Sequence, residues 1–133
     1  MSYEESLVSV SLDADASIGI YTGVPGMPGS AVPNGGMIFR FVKLTGSHQV
    51  GLCTAATDQV VGILQNKPQK PGAAAQVAIY GISNVIASAA ISAGAFVAPT
   101  ATGQAVTDAT NGKYMAIKPA TAAGEMIPVL RVR

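Results

Sequence analysis

Charge is what this sequence has least of. Asp, Glu, Lys and Arg make up 11% of its 133 residues, less than half of the roughly 25% usual in globular domains. The formal net charge is +1, and near-neutrality favours association. So few charges leave little to coat a solvated surface. Part of the surface is therefore expected to be covered by partners, the alternative being a monomer coated with Ser, Thr and Gln. The scarcity also argues against nucleic acid, which selects a basic patch. Here Lys67 and Lys70 are split by Pro68 and Gln69, and Arg131 and Arg133 form only a small basic end.

Residues that carry chemistry are equally scarce. There is one cysteine, one histidine and no tryptophan. Cys53 alone can form neither an intrachain disulfide nor a metal site, and its apolar run Val50-Gly51-Leu52-Cys53-Thr54 reads as a strand with a buried thiol. His48 lies in Thr45-Gly46-Ser47-His48-Gln49, a turn, with no nucleophile elbow anywhere to serve. Asp13 and Asp15 open like a calcium loop, but Ile18 and Val24 stand where that loop needs glycine and an acid. Gly112-Lys113 is no phosphate loop, since Thr107 replaces the earlier glycine and Tyr114 the Ser or Thr. The expectation is a protein that is not an enzyme, with no catalytic, cofactor-binding or metal site. Val85 to Pro99, the longest weakly apolar stretch, is shorter than the ~20 residues of a membrane helix, so no membrane partner is expected. The acidic start Met1-Ser2-Tyr3-Glu4-Glu5-Ser6 does not read as a signal peptide.

What is present is β pattern and turn residues. Leu7 precedes an alternation of Val8, Val10 and Leu12 with serines, which predicts an extended strand with one apolar face. A Gly/Pro-rich segment from Gly19 to Gly36 follows and excludes both helix and central strand. Residues 1–36 are therefore expected to be an extended arm with little core of its own. Its candidate contact residues are Leu7, Val8, Val10, Leu12, Ile18, Ile20 and Tyr21. Gly23 to Ala31 contains three Gly-X-Y triplets, too few for a triple helix by themselves, and reads as a polyproline-like loop or a meeting point of three arms.

Residues 37–133 read as a second unit, a small β-barrel. Short strands are predicted at 37–44, 49–54, 59–65, 75–80, 83–88, 95–98, 113–118 and 126–132, with strand, turn, strand over 86–95. Asn111-Gly112 suggests a type I′ hairpin joining a strand near 105–107 to one at 114–117. A faint repeat is visible. Gly62-Ile63-Leu64…Pro68 leads to Gly72 and then Val77-Ala78-Ile79-Tyr80. Likewise Ala116-Ile117-Lys118-Pro119 leads to Gly124 and then Ile127-Pro128-Val129-Leu130. Two hairpin-like units suit a closed barrel, which removes exposed edges.

Phe39 to Leu44, Val60 to Pro68, Gly72 to Gly81, Ile91 to Val97 and Ala122 to Leu130 together resemble the capsid decoration (cement, head-stabilising) proteins of tailed bacteriophages. The resemblance covers 37–133; the arm matches in character only. It implies an all-β barrel or tulip-like domain with little or no helix and an extended N-terminal arm. It also implies a homotrimer on the exterior of the virion capsid, whose partners are itself and the major capsid protein. The arm residues would then bind the shell, the apolar ones adding a strand to a shell subunit. The alternative function is an adhesive or carbohydrate-binding β-module, though few aromatic platforms are available: Tyr3, Tyr21, Tyr80 and Tyr114.

Overall fold

The computed structural model describes residues 8–15, 17–18, 38–66, 68 and 72–132. Its regular structure is all strand: β1 (Val8–Ala14), β2 (Phe41–Gly46), β3 (Gln49–Leu52), β4 (Val60–Leu64), β5 (Ala74–Tyr80), β6 (Ile82–Ile86), β7 (Phe96–Pro99), β8 (Ala105–Thr107), β9 (Tyr114–Ala116) and β10 (Met126–Arg131). The all-β expectation with a small barrel is met.

Strands β1-β3-β2-β4-β5 form a closed barrel, and β6-β10-β9-β7-β8 form a five-stranded sheet. β1 closes the barrel. It runs antiparallel to β5 from Val8 to Asp13 and parallel to β3 at Asp13 and Ala14. The boundary expected after residue 36 thus separates this strand from its partners, and Val8–Ala14 belongs to the barrel instead. The signal was missed because the pairing is remote: Val10 sits opposite Val77.

Two apolar clusters account for part of the shortage of charge. One fills the barrel and includes Ala14, Ile18, Val42, Val50, Leu64 and Val77. The other includes Phe41, Cys53, Val60 and Ile63 from the barrel wall and Val85, Val97, Tyr114, Ala116, Ile127 and Val129 from the second sheet. Consecutive side chains point to opposite faces of a strand. Hence Phe41 and Val42 on β2, and Ile63 and Leu64 on β4, enter different clusters, and all four are fully buried. Where the wall is buried on both sides, at these four residues, it has no place for a charge.

The halves are also joined through backbone. Phe39 N–H donates to Leu64 O at 2.8 Å, and Ile86 N–H donates to Phe39 O at 2.9 Å. Phe39 does this at φ 60°, a left-handed conformation that costs a side-chain-bearing residue roughly 1–2 kcal/mol. At Gly62, a Cβ would run into the Ala78 carbonyl oxygen, so only glycine lets β4 lie this close to β5.

Both members of the sequence repeat are hairpins, β4–β5 in the barrel and β9–β10 in the second sheet. Each turn holds its glycine at positive φ: Gly72 at 86° and Gly124 at 90°. The Asn111-Gly112 hairpin is not formed. β8 pairs with β7, and β9 lies between β7 and β10. The segment is instead a loop tied by Asp108, whose carboxylate accepts from Thr110 N and Asn111 N at 3.0 and 2.9 Å. Neither Asn111 nor Gly112 has positive φ. Gly112 is needed for a different reason, since a Cβ would lie 2.8 Å from Phe96 Cβ and Val97 N. Between β6 and β7 the chain makes only isolated bridges, Ala87 to Ala105 and Ile91 to Ala120.

Candidate interaction surfaces

The predicted arm residues divide sharply. Leu7, Ile20 and Tyr21 lie outside the described residues. Ile18 is fully buried in the barrel cluster, so it cannot meet a partner. Leu12 is half-buried against the same cluster. Val8 and Val10 remain exposed, at 48% and 36%. The alternation read from the sequence is real, but its apolar face enters the barrel only toward the end of the strand, where Leu12 packs on the barrel cluster and Ala14 lies within it. The other end of the strand emerges, where Val8 faces Tyr80. Tyr80 is 71% exposed.

The other edge of β1 decides whether it could add a strand to a partner. Asp13 N–H donates to His48 O in β3's direction, while Ala14 N–H donates to Ala73 O on the β5 side. Backbone groups alternate along a strand, so Ser9 and Ser11 turn theirs to the β3 side. Among the described residues, no strand pairs with that edge over Val8–Leu12.

A larger surface escaped the sequence reading. On the second sheet, Ile82, Leu130, Met115 and Phe96 are successive register partners across β6, β10, β9 and β7. The adjacent row is Asn84 and Pro128, with Ile117 N–H donating to Pro128 O. The next is Ile86 and Met126. All these residues are exposed or half-buried, while the intervening Val85, Ile127, Val129, Ala116 and Val97 are buried. Asn84 is the single polar residue among them, and none is charged. A signal existed in Met126-Ile127-Pro128-Val129-Leu130, a strand without polar alternation. Such a run reads equally as a strand buried inside its own chain.

A third feature is a cationic cleft where β2 and β4 approach the ends of β9 and β10. Lys43, Leu44, Gln59, Val60, Val61, Lys113 and Arg131 line a cavity of about 410 Å³. Lys43 Nζ pairs with Asp58 Oδ2 at 3.0 Å. Arg131 donates to Val61 O at 3.3 Å and lies 5.7 Å from the centre of the Tyr114 ring. Burial would raise the Asp58 carboxyl, but hydrogen bonds from Thr54 N–H, Lys43 and Ala55 N–H outweigh it and hold it below the usual carboxylate value. Cations beside an apolar wall can receive an anionic group.

The lone candidates for chemistry stand apart. Cys53 is fully buried, and burial, reinforced by Asp58, pushes its thiol up to about 12. A thiol so rarely ionised is a poor nucleophile. His48 is exposed in the β2–β3 turn at φ 57°, with Nδ1 3.9 Å from Asp13 Oδ2.

No protein-family model matches the chain, and no curated protein matches it. Among solved structures, the fold is similar to that of the head fiber gp8.5 N base in bacteriophage phi29. The TM-score is 0.62 at 19% identity, over 95% of this chain and 94% of that one.

Proposed function

We propose that this chain is a structural protein of a bacteriophage head. In this reading it binds the outside of the shell as a homo-oligomer, a trimer, and cements neighbouring major capsid subunits without catalysing a reaction. The observation that carries it is the fold shared end to end with a phage head fiber base. The charge-poor composition supports it, because a protein built to be covered needs few charges. Many copies of a modest contact sum through avidity, which is what holding a pressurised shell together requires. Mixing the protein with phage heads assembled without it, then sedimenting them, tests the reading. Saturable co-sedimentation and a raised head disruption temperature are expected; protein left in the supernatant at all concentrations overturns it.

A second reading, an adhesive module of a fibre, is favoured by one observation. Tyr80 is the most exposed aromatic side chain among the described residues and could stack on a sugar ring. Tyr80-dependent binding to a glycan array, without head binding, would select it.

A further inference from the structure

We infer that the outer face of the second sheet, centred on Leu130 and Met126, is where copies of this chain join one another. The inference rests on the assembly reading above and assigns its self-contact to a surface. Three observations carry it. The face is charge-free across four strands, whereas the outward positions of β1 and β5 carry Ser9, Ser11, Asp13 and Gln76. Away from the end where Val8 meets Tyr80, this chain therefore keeps the outward face of its barrel polar. Second, a face without charge complements only another such face. A shell surface must itself stay soluble before decoration, and late-forming interfaces are no more apolar than ordinary surface. In the trimer the other two copies bring the same apolar face to the shared axis and cover it from the moment of folding, when an exposed patch would otherwise drive aggregation.

The third observation is size. Its rows of four, three and two residues, at ~4.8 Å between strands and ~6.7 Å between rows, cover about 290 Å². That is roughly a third of the ~800 Å² each partner gives to a standard interface. It is the apolar centre such an interface needs. The exposed Lys118 and Glu125 at the β9–β10 turn supply charges of both signs for a polar rim.

Met126 is 55% exposed and Leu130 36%, so each accepts a polar replacement without opening the core. The full chain should run in analytical ultracentrifugation at a multiple of 13.4 kDa, with association at least tenfold weaker in Met126→Glu and Leu130→Glu. Gln76→Glu, on the polar barrel face, should associate as wild type does. A monomeric wild type, or full assembly of both glutamate variants, overturns the inference. A second measurement does not depend on those variants. Cys53 is buried and inert, so a maleimide dye reports only on an introduced Met126→Cys thiol. Its labelling should slow at least tenfold as protein concentration rises through the association range; a rate independent of concentration overturns the inference. Head sedimentation separates the two proposals. Glutamate variants that stay assembled but lose head binding make this face the shell contact, overturning the inference and keeping the function. Variants that dissociate yet bind heads weakly support both.

Discussion

At the scale of single residues, the tightest constraint is Gly62. Its backbone lies against the Ala78 carbonyl at the β4–β5 contact, and neither strand can retreat because both are walls of the barrel cluster. Gly62→Ala should destabilise by at least the about 1–3 kcal/mol typical of overpacking, read as a lower urea midpoint at unchanged slope. Asp58 is constrained by hydrogen bonds instead. Its carboxylate accepts from Thr54 N–H at 2.7 Å, Ala55 N–H at 3.0 Å and Lys43 at 3.0 Å, fixing the loop between β3 and β4. Asp58→Ala strands two backbone donors and should cost about 1–3 kcal/mol in thermal unfolding. Asp58→Asn, which keeps an acceptor, should lose less.

Among the elements, β1 carries the sharpest consequence. A dispensable arm could be removed without harm, but this strand is the barrel's closing member. Deleting residues 1–14 removes Leu12 and Ala14 from the core and leaves β5 with an open edge. The truncated chain should bind a hydrophobic dye and unfold without a cooperative transition, whereas a chain beginning at Val8 keeps the strand and its transition. This element also marks what a sequence can and cannot disclose. The alternation of Val8, Val10 and Leu12 announced a strand, and the two Pro-Gly repeats announced the β4–β5 and β9–β10 hairpins, because those signals are local. Barrel closure joins Val10 to Val77 across a long stretch of chain, and no local pattern encodes it. Asn111-Gly112 misled for the same reason. Asp108 takes the Asn111 N–H on its carboxylate and the Gly112 N–H on its carbonyl oxygen, and β9 found its partners in β7 and β10. The interaction surface was the least legible part. Apolar residues on both faces of β6 and β10 look alike whether the cover is the same chain or another copy.

For the molecule as a whole, acid should be the destabilising direction. Burial would raise Asp15, but hydrogen bonds from the Ser17 and Thr45 hydroxyls outweigh it and hold it low. Asp108 is lowered by the Asn111 backbone N–H and side chain, and Glu125 by the Thr121 hydroxyl and N–H. A carboxyl depressed by folding stabilises fully above its ordinary value and loses that contribution as pH falls through its folded value. Those ordinary values are 3.8 for the aspartates and 4.5 for Glu125. The melting temperature should therefore be nearly level from pH 7 to about pH 5 and fall steadily below about pH 4. A melting temperature that rises on acidification would contradict this. Assembly adds a dependence on concentration. If copies bind only in the folded state, raising total protein a hundredfold should raise the melting temperature, and in Met126→Glu the rise should begin only at a concentration at least tenfold higher.

The wall formed by β2 and β4 has one more consequence, a mechanical one. Its two faces belong to different clusters, Phe39 stitches it to β6, and Gly81 alone separates β5 from β6. There is no slack tether between the two sheets to extend first. Load applied to the outer sheet passes straight into the barrel as shear on a shared interior. Pulled from the two ends of the chain, the molecule should resist as one stiff body and give way in a single rupture, the property wanted in a rivet.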